Sequence, residues 1–517
     1  MKFNAAVTPH HLSAAAAAEL VSAGGNAVDA AIAAVAAQGV VAPETCGIGG
    51  DLFALVHVPG EDRPRALNAS GRAGSNADPE TLRAQGLDQV PADHPLTVTV
   101  PGCIDGLASL ADSLGRLSLA EALAPAIRLA ESGFEVSTEQ ARAFTTKARV
   151  YRDNPAVAEF YPGGRPVTAG DRLSRPALAT TLRAVAEKGR DAFYRGRPAE
   201  DIVEAVENVI TMEDLEQEHA EWVDPIGARV AGLVVWTSPP NSQGYLGPGT
   251  LAVFESLDPP DDPTSPLWWH LLIESYRCLA WERNDLVADP GRLPLPAGLL
   301  LDQDRLSTAA ATVSRERAGA WPAGMAAVSG TAYLCVSDSD GMGVSIIQSN
   351  YRGTGSPFGA RRSGFLLQDR GGGFGLSPGH PNELGPGKRP LHTLSPTLWT
   401  DGTDTRWLLG TRGGAVQPQL VAQVGAAVAI AGVPPEEAQQ TPRWTVSNFG
   451  PGTGPAIRVE PGLPATLLDE LRTMGHHIEE TEGRQPGWGP IGVIGLGGPE
   501  PVAAADPRVD TASAIIF

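Results

Sequence analysis

Apolar residues at 119, 122, 123, 126, 127 and 130 recur at the spacing of one helix face and predict a helix from Leu119 to Ser132. The alanine-rich stretch from Ser13 to Val41 breaks once, at Ala23-Gly24-Gly25-Asn26. Glycine ends a helix well, and Asn26 or Asp29 can start the next, so the pattern predicts a helical hairpin. Leu52 to Val58 is a continuous, strand-like apolar run, with Ala66 to Ser70 as its candidate partner. Residues 102–210 alternate helical patterns with turns and predict a mainly helical layer. Val230 to Thr237 reads as one strand entering the Pro- and Gly-rich loop Ser238 to Gly244, and a helix is expected through Trp268 to Glu282. Thr331 to Val336 and Gly343 to Ser349 flank Asp338-Ser339-Asp340-Gly341-Met342, two β-rich runs around an Asp-Gly turn, which is a hairpin signal.

Composition narrows what such a fold can do. With 517 residues, 42% of them hydrophobic, the chain can bury a large core. Its 60 glycines and 45 prolines are spread among apolar runs, which predicts a loop-rich globular protein and no disordered tract. Lys and Arg number 39 against 59 Asp and Glu, a net charge of −20 without a basic block. That balance argues against nucleic acid or an anionic membrane as partner and favours small-molecule chemistry. Cys46, Cys103, Cys278 and Cys335 lie far apart and give no zinc or redox spacing, so buried thiols in a reducing compartment are expected. The N-terminal region lacks the charged-then-apolar order of a signal peptide, and no apolar run reaches the roughly 20 residues that span a bilayer. The expectation is a soluble cytoplasmic protein.

No metal and no cofactor are expected. His10-His11 and His476-His477 have no carboxylate or cysteine at ligand spacing, and Asp258 to Asp262 lacks the spaced ligands of a calcium loop. Gly371 to Gly375 and Gly413-Gly414 are glycine-rich, but neither has phosphate-loop or dinucleotide spacing. Gly330-Thr331 is the dipeptide with the most chemistry in it. A threonine hydroxyl needs an adjacent base to attack, and at a chain terminus its own α-amine can be that base. For Thr331 this requires cleavage of the Gly330–Thr331 bond; the plain alternative is a threonine that starts a strand after a turn glycine.

Several ordered motifs decide between those readings. They are Gly24 to Ala31, Gly47 to Gly50, Val100-Pro101-Gly102, Pro125 through Phe134, Phe193 to Gly196, Arg283 with Asp289-Pro290, Gly387 to Pro390, Ser395-Pro396-Thr397, Arg412-Gly413-Gly414 and Asp506-Pro507-Arg508. Through them the chain resembles the γ-glutamyltranspeptidase family of N-terminal-nucleophile hydrolases nearly end to end. The resemblance implies an α/β fold, a four-layer αββα sandwich, made as a precursor. The precursor would cut itself into a large subunit, 1–330, and a small one, 331–517, intertwined as one domain. It also implies Thr331 as nucleophile, Ser349 at the place of the threonine that supports it, and Gly413 and Gly414 as the oxyanion hole, where one N–H donor is worth on the order of 3 kcal/mol of barrier.

The substrate pocket departs from the family pattern. Ser70 stands where an arginine holds the substrate α-carboxylate, with Arg72 two residues later; Gly372-Gly373 replaces the amine-binding acids, after Arg370 in place of an amide. His392-Thr393 replaces a serine pair, and Tyr351 an asparagine. A pocket that loses its acid and gains Arg370 should not prefer an ammonium group, whereas arginines suit a carboxylate. For Arg72 and Arg370 the alternative is a structural ion pair.

These departures resemble a γ-glutamyltransferase-like subfamily that carries Ser70 to Ala73, Pro239 to Gly244, Gln348 to Tyr351, Pro386 to Leu394 and Gly413 to Gln419, the last placing Gln417 at the pocket. That subfamily includes oxamate-type amidohydrolases and C–C bond hydrolases of actinomycete natural-product pathways. The leading expectation is an autoprocessed threonine hydrolase that cleaves an amide or activated acyl bond of a small carboxylate-bearing metabolite. Arg72, Arg370, Tyr351, His392, Thr393 and Gln417 are its candidate substrate contacts. Water or an amine would accept the acyl group, the cut subunits would be partners in a heterodimer, and a dimer of heterodimers is allowed. The alternatives are a γ-glutamyl hydrolase or transferase, a C–C hydrolase, and an unprocessed binding protein; Ala332, where many relatives have a second threonine, speaks for the last.

Overall fold

The computed structural model describes residues 2–321, 330–446, 455–498 and 500–517. Thirteen strands build its two main sheets: β1 (Ala5–Thr8), β2 (Asp51–His57), β3 (Arg65–Ala69), β4 (Glu221–Val223), β5 (Ile226–Val230), β6 (Leu233–Thr237), β7 (Ala332–Ser337), β8 (Gly343–Ser349), β9 (Thr397–Thr400), β10 (Thr405–Thr411), β11 (Ile491–Gly495), β12 (Val502–Ala504) and β13 (Ser513–Ile516). The first sheet runs β13-β1-β7-β8-β2-β3-β4 and the second β12-β11-β10-β9-β6-β5, antiparallel throughout.

Side-chain alternation explains why these strands make a sandwich. Along β2, Leu52, Ala54 and Val56 enter a helix-facing core, while Phe53 and Leu55 enter a core shared with the second sheet. Leu334 and Val336 against Tyr333 and Cys335 repeat the pattern on β7. Leu398, Leu408 and Ile494 of the second sheet close that inner core. Both faces of the central strands are therefore buried, and their apolar runs are continuous for that reason.

Helices cover the two outer faces. α1 (His11–Ser22), α2 (Ala27–Val41), α3 (Cys103–Leu114), α4 (Leu119–Ser132) and α5 (Pro176–Lys188) lie over the first sheet; α6 (Leu246–Ser256), α7 (Pro266–Ala280) and α8 (Gln417–Gly425) over the second. The four-layer αββα expectation holds, as do the hairpin of α1 and α2, the Leu119–Ser132 helix and the β7–β8 hairpin. Asn26 caps α2 by accepting the Val28 and Asp29 N–H groups, and Asp29 returns the bond to the Asn26 N–H. Every residue of α2 is buried, because the helix lies between the sheet and the helices outside it. One element differs: the strand expected from Val230 to Thr237 is the second arm of a hairpin, since Ala231 and Gly232 take positive φ (51° and 75°) and turn the chain between β5 and β6.

One histidine of each pair, His10 and His476, is held in the fold, and the cysteines are buried. The His10 ring caps α1 by accepting the Leu12 N–H, and His476 bonds to His270 at 2.8 Å. All four cysteines are free and buried. Among the described residues no group of His, Cys, Asp and Glu could hold a metal ion, and no helix is long and apolar enough to cross a membrane.

Candidate active site

Thr331 sits at the start of β7 and is 1% exposed with Gly330 still joined to it. Its Oγ donates to Ser349 Oγ at 3.1 Å. Ser349 Oγ in turn donates to the Gly330 carbonyl oxygen and accepts the Tyr351 N–H at 2.8 Å. One hydroxyl therefore touches both Thr331 Oγ and the Gly330 carbonyl oxygen. Antiparallel pairing makes this possible: β7 and β8 are hairpin partners, and Ser349 ends β8 beside the start of β7. Gly330 lies against the Tyr351–Gly353 turn so closely that a Cβ would collide with the Gly353 backbone, so only glycine fits before the threonine.

That turn is itself held. Tyr351 takes φ +76°, unusual for a residue with a side chain. Lys147 Nζ donates to the Arg352 carbonyl and Thr354 Oγ, both at 3.1 Å. The Gly413-Gly414 turn leaves the end of β10, where the Tyr333 ring fills the space a Cβ on Gly410 would need. Gly413 has φ +136°, open to glycine only, and neither its N–H nor that of Gly414 is taken by another group among the described residues. Arg412 fixes the base of this turn through Glu139 at 2.8 Å and the Pro486 carbonyl at 3.0 Å.

Arg370 is fully buried. Its Nη1 donates to Thr393 Oγ at 3.2 Å, and its guanidinium carbon lies 4.0 Å from the centre of the Tyr351 ring. Nε and Nη2, the edge that grips a carboxylate with two parallel bonds, have no hydrogen-bond partner among the described residues. Burial holds the Arg370 pKa below the usual arginine value. Gln243 Nε2 ties this group to the glycine turn, donating to the Thr393 carbonyl at 3.2 Å and the Gly414 carbonyl at 3.1 Å, while Arg283 Nη1 donates to Gln243 Oε1 at 2.8 Å.

Two expected contacts are placed differently. Arg72 turns away to an ion pair with Glu221 at 2.8 Å and Asp289 at 3.3 Å, the structural role that was its alternative. The guanidinium that reaches Ser70 belongs to Arg389, whose Nη1 donates to the Ser70 carbonyl and to its Oγ. His392 offers no free ring nitrogen: Nε2 bonds Asp51 Oδ2 at 3.0 Å and Nδ1 accepts the Leu394 N–H at 3.3 Å. Burial and the nearby Arg370 push its pKa down to about 3, so the ring is neutral. Gln417 Oε1 accepts the Ser395 N–H at 3.0 Å, and its Nε2 is buried without a partner among the described residues. Asp51 and Gln243 escaped the sequence reading as site residues, although Gln243 lies in the quoted Pro239–Gly244 motif and Asp51 directly follows the quoted Gly47 to Gly50 motif.

The gamma-glutamyltranspeptidase family model matches residues 13–516. The chain belongs to that family. It is 33% identical to the glutathione hydrolase-like YwrD proenzyme of Bacillus subtilis, covering 98% of this chain and 97% of that one. It is also 33% identical to the oxamate amidohydrolase proenzyme of Klebsiella pneumoniae, covering 98% of each. Among solved structures, cephalosporin acylase from Bacillus halodurans superposes with a TM-score of 0.91 at 32% identity over 99% of this chain and 96% of that one. As a member of the family the protein is an amidohydrolase of the N-terminal-nucleophile type, and relatives named as proenzymes point to processing into two subunits.

Proposed function

We propose that the chain cuts itself between Gly330 and Thr331 into subunits 1–330 and 331–517 and then hydrolyses the amide of a small substrate whose carboxylate rests on Arg370. In maturation, Thr331 Oγ attacks the Gly330 carbonyl carbon, the C–N bond breaks in an N-to-O acyl shift, and water cleaves the ester. That leaves the Gly330 carboxylate and a free Thr331 α-amine. In turnover the amine takes the hydroxyl proton as Oγ attacks the substrate carbonyl, then passes it to the leaving amine; water next releases the acid. The N–H groups of Gly413 and Gly414 are the donors proposed for the oxyanion. The observation that carries the nucleophile assignment is the chain Thr331 Oγ, Ser349 Oγ, Gly330 carbonyl.

Substrate class follows from the unpartnered Nε–Nη2 edge of Arg370, with Tyr351 over its face, Thr393 on Nη1 and Gln417 Nε2 as a further donor. No acidic side chain makes an ion pair with Arg370 among the described residues, which disfavours the α-amine of a γ-glutamyl group. Oxamate, the compound in the name of the Klebsiella relative, carries its carboxylate directly on the amide carbonyl and is the first substrate to test. Four free, buried thiols suit the reducing cytoplasm, where we place the protein.

Intact mass and N-terminal sequencing of the purified chain, followed by assays of ammonia from oxamate and p-nitroaniline from γ-glutamyl-p-nitroanilide, test this reading. A fragment beginning at Thr331 and turnover of oxamate are expected. One uncut chain, unchanged by Thr331→Ala, would overturn the nucleophile assignment; turnover of the γ-glutamyl compound alone would overturn the substrate class.

A further inference from the structure

Asp51 begins β2, directly opposite Ser349 in the β2–β8 ladder, and is fully buried. Its Oδ1 accepts the Gly71 N–H and Gln368 Nε2, each at 2.9 Å, and its Oδ2 accepts His392 Nε2 at 3.0 Å. Two of these three contacts adjoin a group of the pocket, and so does Asp51 itself. Gln368 stands two residues before Arg370, His392 is bonded to Thr393 through the chain, and Asp51 itself pairs with the strand end that carries Ser349.

The hydrogen bonds fix the state of the histidine. Because Nδ1 accepts the Leu394 N–H, the ring proton is on Nε2, which donates to Asp51. Phe53 lies 4.8 Å from the imidazole, and the His392 backbone is tied at both ends, its N–H to the Asn241 carbonyl and its carbonyl to the Gln243 N–H. The residue after it, Thr393, meets Arg370 Nη1. An aspartate placed directly on Arg370 would fill the edge that a ligand needs; here Asp51 bonds His392 instead and acts on the buried guanidinium through its charge alone, leaving Nε and Nη2 without a partner among the described residues.

We infer that Asp51, acting through His392, is a positioning residue that sets Thr393 and thereby aims the open edge of Arg370, making the Asp51–His392 pair a determinant of carboxylate selectivity. The inference rests on the Arg370 reading above.

The test uses the full chain after maturation, with Asp51→Asn, His392→Gln and His392→Asn. Intact mass reports cleavage at Gly330–Thr331, and kcat and KM are measured on oxamate and on ethyl oxamate, in which the carboxylate is capped. Asp51→Asn should raise KM for oxamate by about tenfold or more, keep kcat within about threefold, and erase the preference for oxamate over its ester. The amide N–H of His392→Gln reaches where Nε2–H was, so this variant should stay within about threefold of wild type, whereas His392→Asn, which reaches only the Leu394 side, should behave as Asp51→Asn does. Should Asp51→Asn fail to mature, the two histidine variants decide: a difference between them supports the inference and equal behaviour overturns it. Equal losses on both substrates, or an unaltered KM in Asp51→Asn, overturn the inference while leaving the Arg370 reading standing. A mature wild-type protein that hydrolyses neither compound overturns that reading and the inference with it.

Discussion

Burying a guanidinium is unfavourable unless its N–H groups are met, and Arg370 leaves two of its three nitrogens without a partner among the described residues in a fully buried position. Such a group is costly to keep for stability alone, which supports the proposed role of Arg370 in holding a ligand carboxylate. Arg370→Met should therefore raise KM for a carboxylate substrate by about 30- to 100-fold, corresponding to about 2–3 kcal/mol of charge-assisted bonding, with no loss in the thermal midpoint. A lower midpoint with unchanged KM would assign the arginine to the scaffold. Glu44 offers a second residue-scale test. Burial, and then the charge of Glu139, push its pKa from 4.5 up to about 8. The folded state holds the protonated acid, so its contribution to stability is complete below the unfolded value and fades as pH rises through about 8. Glu44→Gln removes that titration: relative to wild type its thermal midpoint should be higher near about pH 9 than near about pH 5. A pH-independent difference would refute the assignment.

Among the elements, the join between α2 and the β7–β8 turn ties the two halves of the chain together. Asn26 and Asp29 cap α2, while Asp338 Oδ2 accepts the Ala27 N–H at 2.9 Å from the other side of the proposed cleavage point. Asn26→Ala removes the cap oxygen and should cost about 1 kcal/mol, read as a lower denaturation midpoint with unchanged maturation. The capping signal was legible in Gly25-Asn26 followed by Asp29, because a cap needs only a few neighbouring residues. The β5–β6 hairpin was not legible in the same way. Ala231 takes a positive φ that its residue type does not announce, so the pattern reads the turn into the second strand and misses the first.

Over the whole molecule, β7 and β8 from the C-terminal part lie between β1 and β2 from the N-terminal part, and β6 of the N-terminal part pairs with β9 of the C-terminal part. Breaking the Gly330–Thr331 bond removes none of those ladders. The two fragments of the mature protein should therefore elute together in size-exclusion chromatography and separate only in denaturant; separate elution in buffer would contradict the interleaved topology.

The sequence by itself determined the layers, the hairpin behind Thr331, the glycines of the turns and the family, since periodicity, turn residues and ordered motifs are local and survive without coordinates. Only the tertiary structure decided which arginine serves which group. Arg72 and Arg370 are the same residue type in suggestive places, yet Glu221 and Asp289, distant in sequence, claim Arg72, while Arg389 comes to Ser70 and Arg370 keeps an edge without a partner among the described residues. Asp51 was invisible for the same reason: its partners Gly71, Gln368 and His392 are brought together by the sandwich, and a buried carboxylate takes its meaning from the partners that surround it.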